Sequence, residues 1–380
     1  MSEVVTFDGA PPAGTINFGV GQPSADLLPL ELVAKASSSF FASAKSIELN
    51  YGATLGDVRF LDSLAVFLSE GYQSIVSPED LLVTAGNSQA LDLVSMIFAK
   101  PGDTVFVEEP SYFLAFKIFR DRGLNIVGIP LDKNGLRIDA LQEALELHTP
   151  AFLYTIPSYQ NPSGLSTSTE RRQEIIELSI QHDFLIIADE VYQFLYYEDK
   201  PPPAFGTMID SERVISLGSF SKILAPAMRL GWIQTSAALR KKFKAAGFVN
   251  SGGSLNHISS LIVRQAINNK SLNAHIDMLK STYKKRVQAM DESLHKHFDG
   301  IAEWARPGGG YFFWLQFEDD INTTRLRDKA RELKTGFQPG SVFSSKDELN
   351  NFIRLSFAHY SEADIHEGVA RLRQLFMIIS

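Results

Sequence analysis

The chain has no cysteine among its 380 residues, which excludes disulfides, thiolate metal sites, iron–sulfur clusters and cysteine nucleophiles together. It has no run of about 18 consecutive apolar residues, so no membrane-spanning helix is expected. Residues 1–15 lack the basic-then-apolar order of a leader, and we expect a mature cytoplasmic protein. Positive charge is in deficit: 36 Lys+Arg against 44 Asp+Glu give a formal net charge of −8. No basic cluster suited to a nucleic acid or an anionic membrane offsets this. Repeats and low-complexity tracts are missing, and Pro201-Pro202-Pro203 is too short for an interdomain linker.

Several chemical motifs are also lacking. Gly19-Val20-Gly21-Gln22-Pro23 begins like a dinucleotide fingerprint, but Pro23 would spoil the helix that must follow. His295-Lys296-His297 sits in a helical stretch where i and i+2 point apart, and we read it as solvated rather than metal-binding. No Ser-His-Asp arrangement is supported.

What is present is 44% hydrophobic residues in a length that suggests two domains at roughly 100–200 residues each. Short β-branched apolar runs at 81–84, 104–107, 125–129, 151–156, 184–188, 214–217 and 231–234 alternate with helical patterns at 89–99, 111–122, 137–146 and 169–182. That alternation predicts an α/β fold, a mostly parallel sheet sandwiched by helices. After about residue 250 the pattern changes to long helical stretches (257–298, 323–333, 362–377) around strand-like pieces at 310–316 and 352–356. We expect a large domain of residues 45–250 and a smaller α+β domain of residues 1–44 plus 251–380.

In open α/β sheets, chemistry collects in loops past the carboxyl ends of the strands. The run at 151–156 is followed by Pro157-Ser158-Tyr159-Gln160-Asn161-Pro162-Ser163-Gly164. The run at 184–188 leads into Asp189-Glu190-Val191-Tyr192, and that at 214–217 into Gly218-Ser219-Phe220-Ser221-Lys222. Asn161, Asp189 and Lys222 thus follow three successive strands, 189 − 161 = 28 and 222 − 189 = 33 residues apart, and one pocket could hold all three.

These segments resemble the fold type I, class I/II aminotransferases that depend on pyridoxal 5′-phosphate, most closely the 2-aminoadipate/kynurenine branch. The resemblance is carried by Ser219-Phe220-Ser221-Lys222 through Arg229-Leu230-Gly231-Trp232, by Gln160-Asn161-Pro162-Ser163-Gly164 and by Asp189-Glu190-Val191-Tyr192. Pro307-Gly308-Gly309-Gly310-Tyr311-Phe312-Phe313-Trp314 and Arg354-Leu355-Ser356-Phe357 add to it. The chain departs from the family pattern at Ala227, Ser163 and Arg59-Phe60, which bears on local geometry.

The resemblance implies a role for each residue, and each has a plainer alternative. Lys222 would form the Schiff base with the cofactor and, once displaced, carry a proton as a free amine; a lone lysine is otherwise a surface residue. Asp189 would keep the pyridine nitrogen protonated, though Asp after a strand is also a common helix N-cap. Asn161 and Tyr192 would hydrogen-bond the phenolic oxygen, and Tyr112 would stack on the ring. Asn-Pro alone is usually a turn, and Tyr112 could be core. Ser219, Ser221 and Arg229, with Ser88 and Gln89 at a helix start, would hold the phosphate. Tyr51 would reach a partner's phosphate in a homodimer. Arg354 would bind the substrate carboxylate through its planar fork, against a structural pairing with an acidic helix. Gly21 belongs to a substrate-side loop, Tyr311 or Phe18 could line the pocket, and side-chain selection would fall near Gly21, Tyr51 and Ser251–Ser254.

The expected reaction is ping-pong transfer of an amino group from an L-amino acid to a 2-oxo acid, usually 2-oxoglutarate, through a Lys222 aldimine. A β-eliminating carbon–sulfur lyase on the same fold is an alternative. So is a non-catalytic sensor of the kind fused to transcription regulators, which a start close to Met1 disfavours.

Overall fold

A computed structural model describes residues 12–252 and 255–377. In chain order the strands are β1 (Ile16–Asn17), β2 (Leu81–Thr84), β3 (Thr104–Glu109), β4 (Asn125–Asp132), β5 (Gly135–Leu136), β6 (Pro150–Thr155) and β7 (Leu185–Asp189). They continue with β8 (Val214–Ser219), β9 (Gly231–Thr235), β10 (Phe312–Gln316), β11 (Thr335–Gly336), β12 (Gln338–Pro339) and β13 (Phe352–Ser356). Eight of them form one sheet in the order β2-β9-β8-β7-β6-β3-β4-β5. The pairs β3–β4, β3–β6, β6–β7 and β7–β8 are parallel. A second sheet runs β10-β13-β12, and β1 pairs with β11.

The central strands β6, β7 and β8 are apolar on both faces and almost wholly buried, as a sheet covered by helices on each side requires. Two clusters record those faces: one includes Val105, Val107, Tyr154, Ile187 and Ile215, the other Phe106, Leu153, Ile186, Ala188 and Val214. Alternate residues of each strand feed opposite clusters, the period-2 rule of a strand.

One strand departs from the parallel majority, and two helical stretches need correction. The run at 231–234 belongs to β9, which lies antiparallel to both β8 and β2. The connection from β8 holds only a short 3-10 turn, Pro226–Met228, and Phe220 N–H donates to Leu230 O at 3.0 Å; no crossover helix lifts the chain to the far end, as a parallel neighbour would need. The stretch at 257–298 is two helices, His257–Asn268 and Ser271–Phe298. Lys270 takes a left-handed φ of 61°, and Asn269 Oδ1 accepts from Ser271 N–H at 2.9 Å, an asparagine side chain competing with the helix for its backbone. The stretch at 323–333 opens as a 3-10 turn, Thr323–Leu326, before the helix Arg327–Glu332. Among the described residues no helix is long and apolar enough to cross a membrane.

Candidate active site

Because β6, β7 and β8 are parallel neighbours in register, with Thr155 beside Ala188 and Ala188 beside Ser216, their carboxyl ends open side by side. Asn161, Asp189 and Lys222 line one cavity of about 400 Å³ there, together with Gly21, Ser88, Tyr112, Tyr192, Ser219, Ser221, Arg229 and Arg354. The small sheet supplies Arg354 from β13 and Phe312 from β10, so the cavity lies between the two sheets.

Lys222 is half-buried. Its Nζ donates to Gly21 O at 3.1 Å. Burial, with the Arg354 charge adding and Asp189 opposing, pushes its pKa down to about 8, which brings a neutral amine within reach of neutral pH. Asp189 is buried at the cavity floor. Its Oδ1 accepts from Asn87 Nδ2 at 2.5 Å and its Oδ2 from Tyr154 OH at 3.0 Å. Burial raises its pKa to about 6 in spite of these bonds.

Arg354 is 4% exposed. It donates from Nη1 to Asn161 Oδ1 at 2.9 Å and from Nη2 to Gly19 O at 3.0 Å. Its guanidinium lies 4.0 Å from the Phe312 ring centre, its Nε is buried without a partner among the described residues, and burial lowers its pKa to about 10. Its two hydrogen bonds to described residues go to neutral acceptors, so the alternative of a pairing with an acidic helix is not what the fold builds. A Cβ at Gly21 would meet Phe312 at 3.3 Å and Arg354 Nη2 at 3.5 Å; glycine keeps the space in front of the guanidinium open.

At the opposite end the helix Asn87–Phe98 starts after Gly86, whose φ is +87°. A Cβ at Gly86 would come within 3.0 Å of Arg229 Nη2. Among the described residues Arg229 donates only to carbonyls, Pro226 O at 3.3 Å and Ala85 O at 3.1 Å, and Ser221 N–H donates to Ser219 Oγ at 3.1 Å. A guanidinium bonded to no described carboxylate, two hydroxyls and a helix N-terminus form a donor set suited to a phosphate. With a buried carboxylate and a depressed amine in the same cavity, the residues fit a phosphorylated pyridine aldehyde.

Two contributors escaped the sequence reading. Tyr154 and Asn87 hold the Asp189 carboxylate; the sole signal for either was a polar side chain in an apolar setting, the phenol inside a buried strand and the amide after Gly86. A buried scaffold also supports the loop after β6. Gln160 Nε2 donates to Glu108 Oε2 at 3.1 Å and to Pro110 O at 2.7 Å, while its Oε1 accepts from Ser163 N–H at 2.9 Å.

Other expected residues stand elsewhere. Gln89 lies outside the cavity lining, its Oε1 accepting from Ala85 N–H at 3.1 Å. Tyr51 is 84% exposed and outside this chain's cavity. Tyr311 and Phe18 are fully buried and do not line it; Phe312 does. Of the Ser251–Ser254 segment, residues 253 and 254 lie outside the described residues. His295 is exposed, as the reading of the triplet as solvated expects, and its Nδ1 lies 2.8 Å from the equally exposed Asp299 Oδ1, one turn on. Among the described residues no cluster could hold a metal ion.

The family model for aminotransferase class I and II matches residues 13–372. Aromatic-amino-acid aminotransferase 1 of Thermococcus litoralis is 33% identical, over 94% of this chain and 87% of that protein. The 2-aminoadipate transaminase of Thermus thermophilus is 31% identical, over 94% and 89%. The solved structure of Pyrococcus horikoshii kynurenine aminotransferase, in complex with PMP, superposes with a TM-score of 0.89 at 30% identity, over 96% of this chain and 91% of that one. An uncharacterized HTH-type transcriptional regulator of Bacillus subtilis, YisV, is 28% identical over 94% of this chain and 73% of its own length.

Proposed function

We propose a reaction from the premise that this chain belongs to the aminotransferase class I and II family, a family dependent on pyridoxal 5′-phosphate: it moves the amino group of an L-amino acid to 2-oxoglutarate by a ping-pong cycle. The observation that carries this reading is the convergence of Lys222, Asp189 and Arg354 on one cavity. The cofactor, when bound, supplies an aldehyde that takes up the amino group and a ring that accepts the electrons released at Cα.

The chain's own residues do the rest. Arg354 binds the α-carboxylate by two parallel charge-assisted hydrogen bonds, releasing Asn161, and so fixes the direction of the Cα–H bond. Lys222 is the covalent anchor of the cofactor; once displaced, its neutral Nζ takes the proton from Cα and returns one on the reverse leg. Asp189 holds a positive charge on the ring nitrogen, with Tyr154 and Asn87 fixing its orientation. Asn161 and Tyr192 donate to the phenolic oxygen, Tyr112 covers the ring, and Ser88, Ser219, Ser221 and Arg229 hold the phosphate. Residues 45–250 serve as the cofactor-binding part, and residues 1–44 plus 251–380 as the substrate-side part. In a homodimer, Tyr51 of each copy extends toward the other's site.

The test is product analysis with a panel of amino acids. Glutamate formation from 2-oxoglutarate without ammonia release supports the transferase; ammonia release independent of 2-oxoglutarate would establish the lyase instead. Likeness to the transcriptional regulator favours a second reading, a ligand-sensing module, for which the same panel would give binding spectra and no turnover.

A further inference from the structure

We infer that Tyr311 is a positioning residue that seats the ε-amine of Lys222 whenever that amine is not joined to the cofactor. The inference rests on the reading of Lys222 given above.

The centre of the Tyr311 ring lies 5.3 Å from Lys222 Nζ, inside the ~6 Å over which an ammonium is drawn to a π face. The hydroxyl of the same side chain donates to the carbonyl oxygen of Lys222 at 3.3 Å. One buried residue therefore engages both ends of the lysine, the backbone through its hydroxyl and the amine through its ring. On its other side the amine donates to Gly21 O, so it lies between a carbonyl and an aromatic face.

The ring is well held. Tyr192, Tyr283 and Phe312 meet it edge-on at 5.4, 5.1 and 6.1 Å, and the Tyr283 and Tyr311 hydroxyls are 3.3 Å apart. The glycine run that precedes it explains the placement. A Cβ at Gly309 would meet Leu195 O at 2.4 Å, and one at Gly310, where φ is +70°, would meet Tyr159 Cβ at 2.7 Å. The backbone can press against that loop only without side chains, and this sets Tyr311 behind Lys222. Asp189 and Arg354 are the charged groups that act on the amine, in opposite senses. The Tyr192 and Tyr283 phenols beside the ring stay neutral, because burial raises both. A lysine that must leave and return to one spot gains from a seat that attracts it without forming an ion pair, since the amine can still lose its proton.

The test compares wild type, Tyr311→Phe and Tyr311→Met as full-length proteins stripped of cofactor, with Tyr311→Leu in place of Met should that variant not fold. Acetylation of Lys222 by acetic anhydride is followed across pH by peptide mass spectrometry. Loss of the π face removes support for the charged amine, so the Met or Leu variant should titrate about 0.4–1.5 pH units lower, while Phe stays within about 0.3 unit of wild type. In the loaded enzymes, kcat should fall about 2- to 30-fold in Met or Leu with KM unchanged, and recover in Phe. An unmoved or raised midpoint in Met or Leu, or a Phe variant that shifts as far, would overturn the seat. Borohydride reduction of the loaded wild type separates the two claims: cofactor fixed to another lysine sinks the reading of Lys222, whereas cofactor on Lys222 with an unmoved midpoint sinks only the role of Tyr311.

Discussion

Replacing Asp189 by Asn separates what the buried carboxylate costs from what it does. Burial moves its pKa from 3.8 to about 6, and at about 1.4 kcal/mol per unit this amounts to ~3 kcal/mol against keeping it charged in the cofactor-free fold. The sign follows from the raised value: the native state holds the proton more tightly. The penalty is therefore absent below the unfolded pKa, grows through the interval between 3.8 and about 6, and is complete above it. Asn has the same shape without the charge, so cofactor-free Asp189→Asn should be more stable than wild type by up to ~3 kcal/mol at pH 7.5. The gain should vanish at pH 3.5. With ~2.1 cal/mol/K per residue the chain has an unfolding entropy near 0.8 kcal/mol/K, so the melting midpoint should rise by ~4 °C. In the loaded protein the same change would remove the anion proposed to keep the ring nitrogen protonated. A nearby opposite charge is worth roughly 1–3 pKa units, so the amino-acid half-reaction should slow roughly 10- to 1,000-fold. Scanning calorimetry of the cofactor-free proteins and stopped-flow absorbance of the loaded ones read the two effects. A variant that gains no stability at pH 7.5, or one that transaminates at the wild-type rate, would refute the reasoning.

Two further substitutions probe the other ends of the cavity. Lys222→Ala should still bind cofactor through Asp189 and the phosphate cradle but lose ~10²–10⁴ or more in the half-reaction, and borohydride should no longer fix cofactor to the chain; residual fixation on another lysine would contradict the assignment. Arg354→Lys keeps the charge and loses the fork, so at ~2–5 kcal/mol every amino acid should react roughly 30- to 5,000-fold more slowly with cofactor absorbance intact. A substrate's decarboxylated amine should react equally poorly with both proteins, and a selective loss for the amine would remove Arg354 from the carboxylate site.

How much of this was legible in the sequence depends on how local the cause is. The helices Thr169–His182 and Glu362–Met377 and the strands Leu81–Thr84 and Phe352–Ser356 have the bounds their own patterns predict. Ser168 illustrates why: its side chain caps the first of these helices at Arg171 N–H, a signal contained within four residues. Direction and pairing are not local. Nothing inside Gly231–Thr235 says that it runs against β8, because that follows from the short path between them. Lys222, Asp189 and Arg354 could be named from motifs, but the bond from Arg354 to Asn161 spans 193 positions and that from Asn87 to Asp189 spans 102. The first pair exists only once the two sheets face each other, the second only once β2 and β7 lie in one sheet.

The fold itself distinguishes buried charges that hold it together from those that await a ligand. Arg172 and Glu190 are fully buried in side chain and 3.9 Å apart, and neither depends on the other alone. Arg172 donates to Thr167 O, Pro203 O, Pro157 O and Ser158 Oγ. Glu190 accepts from Phe205 N–H, Gly206 N–H and Ser216 Oγ. Neutral partners offset the lost water on every side, the condition under which a buried ion is tolerated. The cavity groups are provided for differently. Among the described residues Arg354 Nε and Asn87 Oδ1 are buried with no partner, although burial pushes Arg172 and Glu190 toward their neutral forms just as it does Lys222, Arg354 and Asp189. In the proposed reaction a carboxylate ligand would supply the acceptors Arg354 lacks, and a cationic ring the charge Asp189 lacks. Burial alone therefore does not mark a site in this chain, nor does an unpartnered atom alone, since Trp232 Nε1 and Gln234 Oε1 are buried without partners among the described residues too; the cavity is where unpartnered atoms and buried charged groups coincide, at the carboxyl ends of β6, β7 and β8 beside the small sheet.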